Sequence, residues 1–503
     1  MTPTTNRLEM DIVSYRGPGA AGGVSSGLAN AWSNDHQQRS HWWFCANHEL
    51  KVLTHGDDRG KFMAFMPEEL VDGHYSYCNE FIWPLMHDLP EHAVYNAENR
   101  AHYRRFNVRF AEHVSSEQRA QTVFFVQDYQ LALLPSLLSK STGGSIVFWH
   151  IPWPKSVPSQ FVEPISELAR GLLAANLVAF HTDEYVQNFL TFVEENLAEY
   201  QIDEQRLSVV PVAGRRSPSL IELANVQPPQ QPYVLRPYVQ SAVTPPSSCR
   251  VVAKPLGIDC ELWQQLGDSG DPKSVQAILP DHILQEQFVL SVDRADYTKA
   301  VVERLHIIDN LMEARPQLQE RLSFVQICGR SRSGLGEFDE YWHQCNSLIK
   351  TVNDRWRTAN WQPIHSIEKP LSAEQLAVLY RRADAMLVNP LRDGLNLTAK
   401  EYAACQGEDP GVLLLSPAAG AWQEIGPYCL PAHPHDEKQV MDSIMRALTM
   451  PKSECRSRNE LTKIKLENNS LNRWWSYFSR AADYVAVGQN VPFEKPAARV
   501  KTA

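Results

Sequence analysis

The sequence has little of what marks several protein classes. Its nine cysteines, Cys45, Cys78, Cys249, Cys260, Cys328, Cys345, Cys405, Cys429 and Cys455, are odd in number and scattered, with no CxxC pair. A disulfide framework or a zinc ribbon needs paired spacing, so reduced thiols are the simplest expectation. No apolar run approaches the ~20 residues that span a bilayer. Residues Met1 to Met10 lack the apolar core of a signal peptide, so a cytoplasmic protein is expected. Positive charge is not in surplus: 48 lysines and arginines face 58 acidic residues, a net charge of −10. Nucleic acid and anionic membrane would need a basic surface, so neither is an expected partner. A basic pocket for a small anionic substrate is still allowed. No His, Cys, Asp or Glu cluster shows metal-ligand spacing, so neither a metal nor a bound cofactor is expected. Short-period repeats are also missing. What is present is ordinary globular composition, 43% apolar and 21% charged. At 503 residues the chain is long enough for about three domains or two large ones.

Short apolar runs recur through both halves. They are Asp11–Ser14, Trp42–Cys45, Val123–Val126, Ile146–Trp149, Leu177–Phe180 and Ser208–Val210, then Phe288–Val292, Phe324–Ile327, Ala385–Val388 and Val412–Leu415. Between them lie stretches with three- and four-residue apolar spacing, such as Val302–Leu311 and Ala373–Tyr380. Buried strands alternating with helices predict α/β structure with parallel sheets covered on both faces, in two doubly wound domains. Residues 227–249 carry prolines at 228, 229, 232, 237, 245 and 246, too dense for a helix or a central strand. They read as a surface insertion. The domains are expected at 1–260 and 261–485, with a hinge at Pro255–Asp259 and a flexible tail over 486–503.

Several strand ends carry chemistry. Ser14–Leu28 follows the first strand, and Gly22 and Gly23 let backbone amides approach a ligand. A helix expected from about Ser26 could hold a phosphate there; a flexible turn weighs equally. The pattern is not GxGxxG, so a dinucleotide site is not indicated. Arg16 is a candidate anion clamp. Asp128 and His150 end two apolar strands, where open α/β sheets bind ligands. Each alone reads equally as a cap or a satisfied core residue; together they favour a polar ligand. His181 is placed similarly. In the second half, Arg294 and Lys299 sit on a strand-end loop and suit a diphosphate leaving group. A surface pairing with Asp293 and Asp296 is the equal alternative. In Asn389–Tyr402, Asp393–Gly394 predicts a turn and Leu395–Leu397 a helix start. Glu401 lies about one turn on, where a carboxylate can hold ribose hydroxyls.

At this point the chain resembles the trehalose-6-phosphate synthase family of retaining glycosyltransferases. The resemblance runs from Ile12 to Tyr484 and rests on SYRGP with AGG, IWPLMH, QDYQ, HIPWP, FHTDEY, PLGID, DRADYTK, LRDGLNLTAKEY and LLLSPAAGAWQE. It implies GT-B architecture, two Rossmann-like domains facing one cleft. The last helix would return to the N-terminal domain. It implies a nucleotide-diphosphate glucose as co-substrate and a phosphorylated acceptor as the small-molecule partners. Arg294 and Lys299 would grip the donor diphosphate. Asp393 with the Gly394, Leu395, Asn396 and Leu397 backbone would hold donor sugar and diphosphate, Glu401 the ribose, and Gly23 would touch the donor. Asp128 and His150 would line the sugars at the reacting carbon, and with Arg294 and Lys299 form the catalytic set. Arg16, Tyr75, Trp83, Asp128 and Arg332 would take the acceptor, with Tyr75 matched across a one-residue deletion.

The sequence also departs from the family. SNR is SYR at Ser14–Arg16, HDYHL is QDYQL at Gln127–Leu131, and a glycine after the donor lysine is Ala300. The proline-rich insertion and Trp83–Pro90 lean toward the glucosylglycerol-phosphate synthases, which make a compatible-solute precursor used in osmotic stress. RGP with AGG and Arg332 lean toward trehalose 6-phosphate. The expectation is therefore glucose transfer to glucose 6-phosphate, with glycerol 3-phosphate as the alternative acceptor. A non-catalytic sugar-phosphate sensor is a distant third. A glycoside hydrolase would need two facing carboxylates, which are not suggested. A homo-oligomer is compatible with the sequence, and the base of the donor is left open.

Overall fold

The computed structural model describes residues 10–18, 23–34, 41–46, 61–116, 122–138, 143–203, 208–212 and 248–492. Most of the proline-rich stretch 227–249, Gly22, and the tail beyond residue 492 lie outside them. The chain divides into two compact units, Met1–Lys254 with Trp475–Ala503, and Pro255–Trp474. The first cut falls at Lys254, where the sequence suggested residue 260. Pro255–Asp259 belongs to the second unit because Gly257 lies flat on the backbone of Asn469–Leu471. A Cβ at Gly257 would come within 2.4 Å of the Asn469 carbonyl oxygen. Leu471 N donates to Ile258 O at 3.0 Å beside it.

Among the described residues the first unit has nine strands: β1 (Met10–Ser14), β2 (Trp42–Ala46), β3 (Lys61–Phe65), β4 (Val123–Gln127), β5 (Ser145–Phe148), β6 (Leu177–Phe180), β7 (Tyr200–Asp203), β8 (Ser208–Pro211) and β9 (Cys249–Ala253). Their order is β3-β2-β1-β4-β5-β6-β9-β8-β7. All pairs are parallel except β7 with β8 and β8 with β9. β1, β4, β5 and β6 are buried along their whole length, which is why β4, β5 and β6 are largely apolar; β1 also buries Asp11, whose carboxylate accepts His41 N and Trp43 Nε1, each at 3.0 Å. β7 is a partly exposed edge strand without such a run. Helix Val162–Leu173 approaches closely through Gly171, where a Cβ would meet the Ala132 carbonyl at 2.4 Å. From Trp475 onward the helix Leu471–Ala486 packs on this sheet, Phe478 stacking on Phe125 at 4.8 Å.

The second unit has six parallel strands: β10 (Gln287–Ala295), β11 (Leu322–Arg330), β12 (Ile364–Ile367), β13 (Ala385–Val388), β14 (Val412–Leu415) and β15 (Leu430–Pro431). Their order is β12-β11-β10-β13-β14-β15. Val289, Phe324, Leu387 and Leu414 pack there with Leu305, Ile308 and Ile349 from flanking helices. Both sheets therefore contain a point where the strand order reverses, between β1 and β4 and between β10 and β13. Beyond the carboxyl ends of such strands two loops part and leave a crevice, the usual ligand position of doubly wound sheets. Among the described residues no helix is long and apolar enough to cross a membrane.

Candidate active site

In the first unit the reversal point puts the end of β1 beside the end of β4. The chain leaves β4 through Asp128 at φ 68° and ψ 175°, a backbone region nearly restricted to glycine. A strained non-glycine residue costs about 1–3 kcal/mol and persists only where neighbours over-determine it. Here they do: Asp128 N donates to Phe148 O at 2.8 Å, and its carboxylate accepts His150 N at 3.0 Å. The structure thus joins Asp128 and His150. The His150 ring is buried and its Nε2 lies 2.9 Å from Gln127 Oε1. Gln127 Nε2 donates to Phe125 O at 3.3 Å, which orients the amide with its oxygen toward the imidazole. That oxygen can only accept, so Nε2 carries the ring proton. Burial pushes the His150 pKa down to about 3, so the ring is neutral. His181 lies beside it, ring centres 5.3 Å apart.

At the end of β1, Arg16 is exposed and its carbonyl accepts Ser14 Oγ at 2.6 Å. Tyr15, the departure from the family's SNR, is buried between His74 at 5.3 Å and Phe106 at 5.9 Å. Tyr75 stacks on Tyr15 at 6.4 Å, so it is brought to the same strand end as Arg16. Trp83 opens the short helix Trp83–Met86 and lies against His87, ring centres 4.1 Å apart. The helix after the glycine segment starts at Gly23 rather than near Ser26, so Gly23 stands in its first turn.

In the second unit Arg294 and Lys299 have different surroundings. Arg294 lies on β10 itself rather than on a loop, because β10 extends to Ala295. Its side chain is half exposed, donates to Ser331 Oγ at 3.2 Å and pairs with Asp296 at 3.6 Å. Lys299 is buried, and its Nζ meets Asp393 Oδ2 at 2.5 Å. Of the pairing weighed with Asp293 and Asp296, only Arg294 with Asp296 is present, and Asp296 is buried rather than on the surface. Asp293 instead faces the buried Arg304, Nη2 to Oδ2 2.7 Å. Arg304 also reaches Asn389 at 2.7 Å and the Lys299 carbonyl at 3.3 Å, which braces the loop behind Lys299.

Asp393 also accepts Asn396 Nδ2 at 3.1 Å. Asn396 is left-handed at φ 74° and caps the next helix, its Oδ1 accepting Ala399 N at 3.1 Å. The helix accordingly runs Leu397–Cys405, and Leu395, expected at its start, precedes the cap. Gly394 is held from behind by Gly420: a Cβ there would meet the Gly394 carbonyl oxygen at 2.0 Å. Glu401 lies further along that helix, within 3.3 Å of the Tyr380 hydroxyl. Burial raises its pKa to about 7, although the Tyr380 hydroxyl pulls the other way. Arg332 is left-handed too, at φ 47°, with its guanidinium on Asp296 at 2.6 Å. Among the described residues, four of the six non-glycine residues with positive φ, Asp128, Ala300, Arg332 and Asn396, stand in or beside these two groups.

Sequence reasoning gave Gln127 and Ser331 no role and took Asp296 only as a surface partner of the cations. Only Asp296 carried a local signal, the Asp-x-Thr spacing of a turn whose carboxylate accepts the next amide but one. What the two groups can do is distinct. The first presents a strained carboxylate and a neutral imidazole at a strand end. The second presents Lys299 on Asp393 beside a capped helix start, and Arg294 with Arg332 on Asp296, groups suited to phosphate oxygens.

Comparison with known proteins decides between the families such groups could serve. The model of glycosyltransferase family 20 matches residues 30–484. The chain belongs to glycosyltransferase family 20. It is a hexosyltransferase of the trehalose-6-phosphate synthase family, with two Rossmann-like parallel-sheet units of the GT-B type. It is 28% identical to an alpha,alpha-trehalose-phosphate synthase [UDP-forming] of Schizosaccharomyces pombe, over 83% of this chain and 76% of that one. It is 30% identical to a bifunctional trehalose-6-phosphate synthase/phosphatase of Thermoproteus tenax, over 82% of this chain and 52% of that one. Among solved structures, an alpha,alpha-trehalose-phosphate synthase of Burkholderia xenovorans in complex with glucose-6-phosphate superposes with a TM-score of 0.79 at 26% identity. That match covers 94% of this chain and 100% of the other. An alpha,alpha-trehalose 6-phosphate synthase of Burkholderia multivorans gives 0.80 at 26% identity over 95% and 97%.

Proposed function

We propose that the chain moves glucose, with retention, from a nucleotide-diphosphate glucose to glucose 6-phosphate, giving α,α-trehalose 6-phosphate. The observation that carries the reading is Lys299 held on Asp393 beside a capped helix start at the β10–β13 reversal point. When the bond between the sugar carbon and the diphosphate oxygen breaks, negative charge gathers on the diphosphate. Lys299, Arg294 and the amides after Asp393 stabilise that charge. The acceptor hydroxyl attacks from the face the diphosphate leaves, and its proton passes to a phosphate oxygen of the leaving group. Asp128 and His150 orient the sugars, the histidine as a neutral ring. Glu401 holds the ribose. Gly23 meets the donor, and Arg16, Tyr75, Trp83 and Arg332 take the acceptor. The names of the relatives, UDP-forming, support uridine as the base. The glucose-6-phosphate complex of the Burkholderia xenovorans protein supports the acceptor.

The test is a product assay. Purified protein receives UDP-, ADP- or GDP-glucose with glucose 6-phosphate or glycerol 3-phosphate. Trehalose 6-phosphate from UDP-glucose is the expected product. Glucosylglycerol phosphate alone would replace the acceptor, and tight sugar-phosphate binding without transfer would indicate a sensor.

A further inference from the structure

We propose that Asp296 is a positioning residue that sets the two phosphate-facing arginines, Arg294 and Arg332, on one carboxylate oxygen and so couples donor binding to acceptor binding. The proposal rests on the reading of Arg294 as donor-side and Arg332 as acceptor-side. Asp296 is fully buried. Its Oδ1 accepts Thr298 N at 3.1 Å and Thr298 Oγ1 at 2.8 Å, which pins the carboxylate to the turn that carries Lys299. Its Oδ2 accepts Arg332 Nη1 at 2.6 Å and lies 3.6 Å from Arg294 Nη2.

The two arginines come from different elements. Arg294 is the last residue but one of β10, and Arg332 follows β11. Two guanidiniums repel each other, and nothing in either strand alone would hold them side by side. The carboxylate between them cancels one charge and leaves one, with the residual positive charge shared by both. Two further contacts serve the same end. Arg294 is tied to Ser331 at 3.2 Å, the residue before Arg332. The Arg332 guanidinium lies over the Phe338 ring at 4.9 Å and the residue adopts φ 47°, which a long side chain rarely takes. A strained backbone, a ring and a buried carboxylate fix Arg332, while Arg294 is half exposed. When a diphosphate engages Arg294, the charge that Asp296 sees changes, and with it the charge Arg332 offers to a second phosphate. The triad thus joins recognition of two phosphorylated substrates within one unit.

The experiment is a kinetic double-mutant cycle with UDP-glucose and glucose 6-phosphate on the full chain. Asp296→Asn keeps the oxygen that Thr298 uses and removes the charge. It should raise KM for glucose 6-phosphate about tenfold or more and raise KM for the donor as well, with a smaller change in kcat. In an Arg332→Ala background the same substitution should change the acceptor KM less than about twofold, because the acceptor-side guanidinium is no longer there to position. A rise by the same factor in both backgrounds marks a merely structural role and overturns the proposal, as does an unchanged KM in the wild-type background. Arg294→Gln, at a half-exposed side chain, covers the case in which Asp296→Asn does not fold. It should raise the acceptor KM about threefold or more, since the carboxylate then draws more strongly on Arg332; no change overturns the coupling. If Arg332→Ala itself leaves the acceptor KM unchanged, the assignment of Arg332 fails and the inference falls with it, while Asp296 keeps only its turn.

Discussion

Glu401→Gln separates stability from binding in one substitution. Glu401 sits on the helix Leu397–Cys405 and its pKa is raised from 4.5 to about 7 by burial. The folded protein therefore favours the protonated form more than the unfolded chain does. This contribution is fully present below pH 4.5 and is lost as pH rises through 7. Above pH 8 the ionised carboxyl costs the fold about 3 kcal/mol, from the difference between the two pKa values. Glutamine is neutral throughout and can still accept from the Tyr380 hydroxyl. Its thermal transition should lie roughly 5–10 °C above wild type at pH 8.5 and match it near pH 4.5. Binding should move the opposite way. Ribose hydroxyls donate to an ionised carboxylate, so wild-type affinity for UDP-glucose should fall about tenfold from pH 8 to pH 6. UDP-glucose suits this titration because its diphosphate has no group that ionises in that range. Glu401→Gln should bind more weakly at pH 8 by about 10–100-fold and show no such slope. Calorimetry in two buffers of different ionisation heat reads the proton release directly. A variant no more stable at pH 8.5 would refute the burial argument, and unchanged affinity would remove Glu401 from the nucleotide site.

Three further outcomes follow from the two groups. Lys299→Ala should lower kcat by about 100-fold or more while the circular dichroism spectrum persists, and unchanged turnover would take Lys299 out of the reaction. Ala300 is left-handed at φ 53° and fully buried, so Ala300→Gly should stabilise the protein by up to about 1 kcal/mol in urea unfolding; a loss of stability would show that the backbone there is unstrained. Nitrogen-15 NMR of His150 should show a neutral ring protonated on Nε2 from pH 5 to 8, because burial holds its pKa near 3 and Gln127 Oε1 only accepts. A titrating imidazole in that range, or the Nδ1–H tautomer, would contradict this.

The buried strands were legible because they are covered on both faces and must be continuously apolar: β4, β5, β6 and β13 are such runs. β7 is an exposed edge and β15 has only two residues, so neither leaves that mark. Candidate residues at strand ends were legible for a related reason. A polar side chain directly after a buried run, such as Asp128 or Arg294, has few places to go except the end of the sheet. Gln127 was not legible, since it reads as the last residue of a strand until His150 is known to lie beside it. Asp296 read as one partner of a surface pair, and its burial under Arg332 depends on β11, which is distant in sequence.

The sequence by itself determined the class of the protein: α/β alternation, few options for cysteines, no surplus of positive charge, and ordered motifs dense enough to single out one family. These follow from local periodicity and residue identity, which need no third dimension. The tertiary structure decided how the charges are spent. Lys299 is taken by Asp393, Arg304 by Asp293, and Arg332 with Arg294 by Asp296. Arg294 and Asp296 are neighbours at one strand end and Arg304 reaches Asp293 from the next helix, but Lys299 with Asp393 and Arg332 with Asp296 join residues distant in sequence, so their distance and burial are set only when the sheet brings the strand ends together.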